Sequence, residues 1–368
     1  HWTFAPMVDI ARDPRWGRVM EGAGEDPYLG SRIAVARVKG FQGNGLGSID
    51  AVMACAKHFA AYGAAEGGRD YNTTDMSLRK LHDVYLPPFK AAASAGVASF
   101  MNSFNDLNGI PATAHTYLQR TLLKGEWKFN GLVVSDWGSI GEMVNHGYAT
   151  DLKDAATKAI TAGSDIDMES RAYSEYLLAL VKEKKVDLSL IDEAVKRVLR
   201  KKFELGLFDD PYRFSNEARE KQVWNNPVHH QIARDIAKKS IVLLKNESVL
   251  SLKKPLLPLM KSSSQKIALI GPLVKAIGDN NGFWSYSWPD DSTRMVSLWK
   301  GVVNKVGTDK SLLYAKGCDI TGTDTTGFKL AKQVALQSDI IILSVGESAV
   351  MSGEAKSRSQ LNLPGVQE

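Results

Sequence analysis

Short apolar runs that end on polar residues alternate with amphipathic segments through the first half of this chain. Such alternation is typical of a parallel β-sheet whose connecting helices pack outside it. The predicted strands are 51-AVMACAKHF-59, 97-VASFMNSF-104, 131-GLVVSDWG-138 and 163-GSDIDM-168. In a (β/α)8 barrel the carboxyl ends of the strands line one face, and ligands bind there. The sequence therefore predicts a polar pocket at that face.

Each predicted strand delivers its own polar side chains to the pocket. They are Lys57 and His58, Asn102 and Asn105, Asp136, and Asp165 and Asp167. Taken alone, Asp136 also fits a helix N-cap, His58 a satisfied core histidine, and Lys57 a side chain that only extends to solvent. Their shared face favours a clamp for sugar hydroxyls beside a carboxylate.

The second half of the chain restarts the α/β pattern after a break. A helix is predicted from an Asp187 cap to Gly206, and turn formers and charges follow it. New apolar runs then appear at 240-SIVLLKN-246, 266-KIALIGP-272 and 338-SDIIILSVGE-347. The predicted organisation is a barrel domain over 1–209, a linker over 210–235 and a second α/β domain over 236–368.

Composition and missing motifs exclude several function classes. The formal net charge is +5 from 46 basic and 41 acidic residues, and the basic residues are scattered, which argues against a nucleic-acid partner. The two cysteines, Cys55 and Cys318, form no zinc-binding pattern, and no apolar run is long enough to span a bilayer. The sequence has no G-x-S-x-G, phosphate-loop or H-E-x-x-H motif and no complete dinucleotide fingerprint.

Six stretches of the chain resemble glycoside hydrolase family 3, in the same order and along essentially the whole sequence. They are 4-FAPMVDIARDPRWGR-18, 25-EDPYL-29, 57-KHFAAYG-63, 101-MNSFNDLNGIPAT-113, 132-LVVSDW-137 and 240-SIVLLKN-246. Within the family they are most similar to bacterial periplasmic β-glucosidases. The resemblance implies an α/β fold, with a (β/α)8-type (TIM) barrel followed by an α/β sandwich.

The resemblance also implies two catalytic carboxyl groups. The family's nucleophile is the Asp of the S-D-W motif, which is Asp136 in this chain. Its acid/base comes from a loop of the second domain, and Glu354, four residues before Arg358, fits that position. Glu347, at the preceding strand end, is the competing candidate. Glu354 is preferred because it lies beyond the strand, on a loop.

Further residues are expected to bind the sugar. The resemblance assigns hydroxyl binding to the Lys-His pair and to the Arg that closes R-W-G-R, and we expect a Met and a Trp of the matching motifs to line the same site. These residues are Arg18, Lys57, His58, Met101 and Trp137. Trp284 and Trp288 offer further apolar faces for a pyranose ring, although a core role fits them equally. We also expect Lys57 and Arg18 to hold the pKa of Asp136 low.

Two departures from the family pattern stand out. Phe104 stands where relatives carry a Tyr, so a hydroxyl that steadies the nucleophile is missing. The family's earlier barrel strands, including an Asp that grips the distal sugar hydroxyls, are expected upstream of residue 1, and the second domain is expected to continue past residue 368. The sequence is therefore interpreted as part of a longer protein.

The predicted activity is that of a retaining, exo-acting β-glucosidase without a metal or organic cofactor. Its partners would be β-linked glucosides or oligosaccharides, with no nucleic acid and no membrane, while the oligomeric state stays open. By resemblance, the expected location is the periplasm or outside the cell. The alternatives are a β-xylosidase, a non-catalytic carbohydrate-binding fragment, and a nucleotide-binding α/β protein, for which no phosphate loop was found.

Overall fold

The computed structural model describes residues 1–224, 226–249, 254–260, 265–285, 295–307 and 312–368, and Trp288 lies outside them. The chain divides into two compact units. Unit 1 comprises His1–Phe214, Gly282–Trp284 and Ala349–Asn362. Unit 2 comprises Ser215–Asn281, Ser285–Ser348 and Leu363–Glu368.

Unit 1 alternates short strands with helices. Its strands are β1 (Cys55–Phe59), β2 (Ser99–Asn102), β3 (Asp106–Leu107), β4 (Ile110–Pro111) and β5 (Leu132–Val134). Its α-helices are α1 (Pro27–Gln42), α2 (Leu78–Lys80), α3 (Pro87–Ser94), α4 (Ser139–Asn145), α5 (Leu152–Ala162), α6 (Ala172–Lys182) and α7 (Leu188–Glu204). Leu81–Tyr85 and Tyr117–Glu126 are π-helical, and 3₁₀ turns cover Gly17–Glu21, Tyr62–Ala64, Glu66–Gly68 and Ala112–Ala114.

The sheet of unit 1 is parallel, as the sequence predicts. β2 lies between β1 and β5, with Cys55 beside Ser99 and Met101 beside Val134. The array continues on both sides through isolated bridges: Met7 pairs with Lys57, and Val134 pairs with Ile166. Five parallel segments therefore end at the same edge, because parallel strands bring their carboxyl ends together.

Aromatic side chains fill the space between this sheet and its outer helices. The Phe59 ring lies edge-on to Phe89, Phe100 and Trp127, with centroids 5.3 to 5.9 Å apart. Phe59, Phe89 and Phe100 are fully buried. Truncating a buried Phe of this kind to Ala costs about 3–5 kcal/mol of unfolding free energy. This core fixes the sheet whose strand ends carry the polar residues.

Side-chain caps set the helix boundaries. Asp26 accepts a hydrogen bond from the Leu29 N–H, and Pro27 opens α1. Asp187 accepts from the Ser189 N–H at the start of α7, so the predicted Asp187 cap is confirmed. These caps satisfy backbone donors that the first helical turn leaves unpaired.

Unit 2 contains a second parallel sheet. The strands of unit 2 are β6 (Ser248–Val249), β7 (Lys254–Pro255), β8 (Ile267–Ile270), β9 (Leu312–Ala315) and β10 (Ile340–Leu343), of which β6 and β7 form a separate antiparallel pair. Its α-helices are α8 (Glu217–Trp224), α9 (Pro227–Ser240), α10 (Leu298–Val306) and α11 (Phe328–Leu336), and a 3₁₀ turn covers Asp279–Asn281. β8 lies between β10 and β9, and all three are parallel.

One predicted strand is wrong. Residues 240–246 were expected to form a strand, but α9 continues to Ser240 and the following residues have no assigned strand. Ile241 and Leu244 are 79% and 91% exposed, and no neighbouring strand pairs with this segment in the described part of the chain. The apolar pattern alone does not make a strand without a partner. The predicted linker range, 210–235, contains α8 and the first part of α9.

Within the described ranges, no helix combines the length and apolar character needed to cross a bilayer.

Candidate active site

The carboxyl ends of the parallel array in unit 1 carry a cluster of charged side chains. Asp9 follows the segment that pairs with β1 through Met7, His58 lies in β1, and Asp136 follows β5. Their side chains meet because adjacent parallel strands end at one edge. The predicted pocket face is thus the place where these groups converge.

One carboxylate oxygen of Asp136 accepts a hydrogen bond and the other does not. Its Oδ1 accepts a 2.7 Å hydrogen bond from the Trp137 N–H. Its Oδ2 is buried and lacks a hydrogen-bond partner among the described residues. The residue as a whole is 8% exposed. A carboxylate held by one oxygen, with the other unoccupied, is suited to nucleophilic attack.

His58 lies between two carboxyl groups. Asp9 Oδ2 accepts from the His58 backbone N–H at 2.9 Å and lies 2.8 Å from Nδ1. On the other side of the ring, Nε2 lies 3.5 Å from Asp136 Oδ2. The His58 side chain is fully buried, and its contact with Asp9 fixes the orientation of the ring.

Burial dominates the acidity of both carboxyl groups. It raises the pKa of Asp136 to about 6, although the Trp137 N–H, Lys57 and Arg18 act to lower it. It likewise raises the pKa of Asp9 to about 7, against the hydrogen bond from the His58 backbone. The expectation that Lys57 and Arg18 hold the pKa of Asp136 low is therefore wrong in net direction. Removal from water outweighs the two cations.

Arg18 connects Glu354 to the rest of the cluster. Its guanidinium makes two hydrogen bonds to Glu21, at 2.8 and 3.1 Å. Its Nη1 lies 3.4 Å from Glu354 Oε1, and the same oxygen accepts a 2.8 Å hydrogen bond from the Tyr71 hydroxyl. Arg18 is 1% exposed, whereas 24% of the Glu354 side chain is exposed. Glu354 is thus held on one oxygen and open to solvent.

The segment that carries Glu354 packs directly on Gly17. The Gly17 N–H donates to Lys356 O at 3.0 Å, and the Gly353 N–H donates to Gly17 O at 2.6 Å. A Cβ at Gly17 would overlap the carbonyl oxygens of Gly353 and Lys356. Only a glycine permits this close approach. Gly17, the glycine of R-W-G-R, therefore helps to place Glu354 beside Arg18.

The remaining predicted binding residues differ in accessibility. Lys57 is partly buried in β1 and close enough to Asp136 to lower its pKa. Met101 is 1% exposed and packs in an apolar cluster with Cys55 and Val134, while Trp137 is 65% exposed. Trp137 is therefore the predicted residue with the largest apolar surface open to a ligand.

Two other side chains from the predicted set lie at the edges of the cluster. Trp284 Nε1 donates to Glu21 Oε1 at 2.8 Å, and its ring centroid is 6.0 Å from the Arg18 guanidinium carbon. The Arg358 backbone N–H donates to Arg15 O at 2.9 Å. Glu347, the alternative to Glu354, belongs to unit 2, whereas the Arg18–Glu354 contact lies within unit 1.

Two residues that were predicted to line the pocket, Asp165 and Asn102, make contacts in the protein interior instead. Asp165 pairs with Lys124 at 2.7 Å and accepts from the Val133 N–H, and both charged side chains are almost fully buried. Asn102 Oδ1 accepts from the Ser164 hydroxyl in a buried network. The expectation that these residues line the pocket is wrong, because Asp165 pairs with the buried Lys124 and Asn102 is fully buried.

Sequence reasoning missed four residues that support the cluster. They are Asp9, Glu21, Asp70 and Tyr71. Asp9 interrupts the apolar run Met7–Ile10, a signal that was available because isolated acids seldom occur in buried strands. The role of Tyr71 depends on a contact with a residue 283 positions away, which no local pattern reveals.

The described residues contain no group of three or more His, Cys, Asp or Glu side chains arranged to hold a metal ion.

Comparisons with known proteins show the family of the chain. The glycosyl hydrolase family 3 N-terminal domain matches residues 1–201, and the family's C-terminal domain matches residues 241–368. A periplasmic β-glucosidase of Salmonella typhimurium is 40% identical over 99% of this chain and 49% of its own length. A β-xylosidase of Formosa agariphila is 37% identical over 99% of this chain and 51% of its own. The structure of a β-glucosidase from Listeria innocua superposes with a TM-score of 0.90 at 40% identity, covering all of this chain and 50% of that protein.

The chain belongs to glycosyl hydrolase family 3. The predicted α/β fold class, a TIM-type barrel followed by an α/β sandwich domain, is confirmed by the family match and the structural similarity. The chain spans about half the length of the relatives that it matches.

Proposed function

We propose that this chain carries the catalytic carboxyl groups of a retaining, exo-acting β-glucosidase. The enzyme removes terminal non-reducing β-D-glucosyl residues from oligosaccharides or aryl glucosides. The main support is that unit 1 contains both carboxyl groups: Asp136 follows strand β5, and Arg18 and Tyr71 both contact Glu354. The Glu354 charge also acts to raise the pKa of Asp136. Retaining glycosidases use two such carboxyl groups, about 5–5.5 Å apart.

The relatives support glucose as the sugar. The Salmonella protein is named a periplasmic β-glucosidase, and the Listeria β-glucosidase has been crystallised with isofagomine and with glucose, and a mutant of it with laminaribiose. A bacterial β-glucosidase involved in saponin metabolism is also similar, with a TM-score of 0.91 at 34% identity. The name of the Salmonella relative further supports a periplasmic location.

In the first step the Asp136 carboxylate attacks the anomeric carbon. The bond between that carbon and the leaving oxygen breaks, and Glu354 gives its proton to the leaving oxygen. The product is a glycosyl ester on Asp136. The Trp137 N–H holds the Asp136 carboxylate in position through Oδ1.

In the second step the Glu354 carboxylate takes a proton from water. The water oxygen bonds to the anomeric carbon as the ester bond to Asp136 breaks, so the configuration is retained. Both residues return to their starting states. No metal or organic cofactor enters either step.

The other predicted residues bind the sugar in this proposal. Lys57 offers an ammonium group near Asp136, Arg18 orients Glu354, and Trp137 offers an exposed ring for the pyranose face. The buried residues His58 and Met101 pack beneath these groups and form the floor of the site.

A β-xylosidase is the second candidate. The Formosa relative, named a β-xylosidase, is nearly as similar to this chain as the Salmonella protein. Glucose and xylose differ by a hydroxymethyl group, and one such group changes binding by about 1–3 kcal/mol. Sugar preference therefore depends on contacts at that position.

The test is covalent trapping. The protein is incubated with a 2-deoxy-2-fluoro-β-glucoside that has a good leaving group, and separately with the matching xyloside. Fluorine slows breakdown of the ester more than its formation, so the intermediate accumulates. We expect a glucosyl adduct on the peptide containing Asp136 and no adduct in Asp136→Asn.

Each other outcome has a definite meaning. Faster labelling by the xyloside would favour the β-xylosidase. An adduct on another residue would refute the assignment of Asp136. Sugar binding by the folded protein without any adduct would favour the non-catalytic, carbohydrate-binding alternative.

A further inference from the structure

Tyr71 touches the candidate acid/base although no sequence motif singled it out. Its hydroxyl donates a 2.8 Å hydrogen bond to Glu354 Oε1. Arg18 Nη1 faces the same oxygen from 3.4 Å. A guanidinium has only donors, so a proton on Oε1 would point toward an N–H that also needs an acceptor. Oε1 is therefore an acceptor, and the proton of a neutral Glu354 is favoured on Oε2.

The ring of Tyr71 is held firmly enough to enforce this arrangement. It meets Phe104 edge-on with centroids 4.9 Å apart and stacks on Tyr62 at 6.4 Å. Burial and the hydrogen bond to Glu354 raise the pKa of Tyr71, so its hydroxyl stays protonated and donates at any ordinary pH.

We propose that Tyr71 is a positioning residue that keeps the transferable proton of Glu354 on Oε2. This inference rests on the proposed function, in which Glu354 is the acid/base. In the first step the Oε2 proton passes to the leaving oxygen as the bond from Asp136 to the anomeric carbon forms. In the second step Oε2 takes a proton from water. The Tyr71 hydrogen bond to Oε1 persists through both steps.

The test is the leaving-group dependence of Tyr71→Phe. Phe keeps the ring contact with Phe104 and removes only the hydroxyl. A dinitrophenyl glucoside needs little protonation of its leaving oxygen, so we expect kcat/KM to change less than about threefold. For cellobiose or an alkyl glucoside, misplacing the general acid should lower kcat/KM by about 10–100-fold.

Tyr117→Phe is the matched control. Its hydroxyl also bonds one partner in unit 1, His82 Nε2 at 2.7 Å, in an exposed pair outside the cluster. We expect this variant to show the same leaving-group dependence as the unmodified protein. A general loss of stability would affect all substrates alike, whereas loss of proton placement affects only the poor leaving groups.

Glu354→Ala separates failure of this inference from failure of the proposed function. If Glu354 is the acid/base, this variant loses activity mainly on poor leaving groups, and azide restores turnover of the dinitrophenyl glucoside as β-glucosyl azide. Absence of both effects would refute the role of Glu354. If both effects occur but Tyr71→Phe is unchanged, or is slowed equally on all substrates, the inference about Tyr71 is overturned.

Discussion

His58 Nε2 and Asp136 Oδ2 lie 3.5 Å apart, and neither atom has a hydrogen-bond partner among the described residues. Burial, together with the charges of Arg18 and Lys57, lowers the pKa of His58 well below its usual value, so the ring is neutral. Nδ1 of the neutral ring faces Asp9 Oδ2 at 2.8 Å, whereas Nε2 makes no hydrogen bond to Asp136. Asp136 Oδ2 is thereby left without a donor in the described part of the chain.

The first prediction concerns the acidic limb of activity. In the proposed mechanism Asp136 attacks only when ionised, and burial raises its pKa to about 6. We expect kcat/KM for a dinitrophenyl glucoside to rise about tenfold per pH unit well below pH 6 and to level off above it. This substrate isolates the nucleophile because it needs little acid assistance. A limb near pH 4 would contradict the effect of burial.

Lys57→Met provides the matched test of the same electrostatics. Lys57 acts to lower the pKa of Asp136, so its loss should move the limb to higher pH. We expect a shift of about half to one pH unit, together with a higher KM if Lys57 binds the sugar. A limb that does not move would show that the Lys57 charge does not act on Asp136.

The second prediction concerns stability. Burial raises the pKa of Asp9 from 3.8 to about 7 in the folded protein. The folded state therefore holds this proton more tightly, so the contribution to stability is complete below about pH 4 and is lost as the pH rises through about 7. The difference corresponds to about 4 kcal/mol.

Asp9→Asn removes that titration. We expect its melting temperature to fall less between pH 5 and pH 8.5 than that of the unmodified protein, by scanning fluorimetry across the range. Asp50→Asn, at an exposed position, is the control and should follow the unmodified protein. Parallel curves for the Asp9 variant and the unmodified protein would contradict a raised pKa at Asp9.

The third prediction concerns Trp137, a residue that is 65% exposed. Its contribution to Asp136 is a backbone N–H, which any non-proline residue supplies. Trp137→Ala should therefore raise KM by about tenfold, a loss of about 1.4 kcal/mol of binding, and leave kcat within about threefold. Tyr28→Ala, another exposed aromatic residue, serves as the control. A fall in kcat at constant KM would argue against sugar stacking.

The sequence predicted which residues lie at the strand ends but not all of the contacts that those residues make. Val133 and Val134 before Asp136 predicted a buried strand with a carboxylate at its end, and periodicity sufficed because the signal is local. Asp165 has the same local signal yet pairs with Lys124 in the interior. Its direction depends on a partner 41 positions away, and a local pattern does not record such partners.

The electrostatics were harder to predict than the geometry. Sequence motifs placed Lys57 and Arg18 near Asp136, which suggested a low pKa for the carboxyl group. Burial raises the pKa of Asp136 instead, and the extent of burial results from the packing of the whole unit. Asp9 was missed for a related reason: the segment Trp2–Val8 joins the sheet through pairing with residues 53–57, and its own apolar pattern is too short to identify a strand.

The last prediction concerns Asp70, which holds the segment bearing Glu354. Its Oδ2 accepts from the Ala355 N–H and its Oδ1 from Trp16 Nε1, both at 2.7 Å. Trp16 is 1% exposed, so Asp70→Ala leaves a buried donor without an acceptor and costs about 1–3 kcal/mol. The same change releases the backbone beside Glu354.

Limited trypsin digestion measures that release directly, because Lys356 and Arg358 lie within the segment. We expect Asp70→Ala to be cleaved at these residues about tenfold faster than the unmodified protein. This rate corresponds to a decrease of about 1.4 kcal/mol in the free energy of local opening. Asp70→Asn keeps one acceptor oxygen and should be intermediate, and Asp75→Ala, at an exposed position, should be unchanged. Equal cleavage rates in all four proteins would mean that the contacts with Gly17 hold the segment without Asp70.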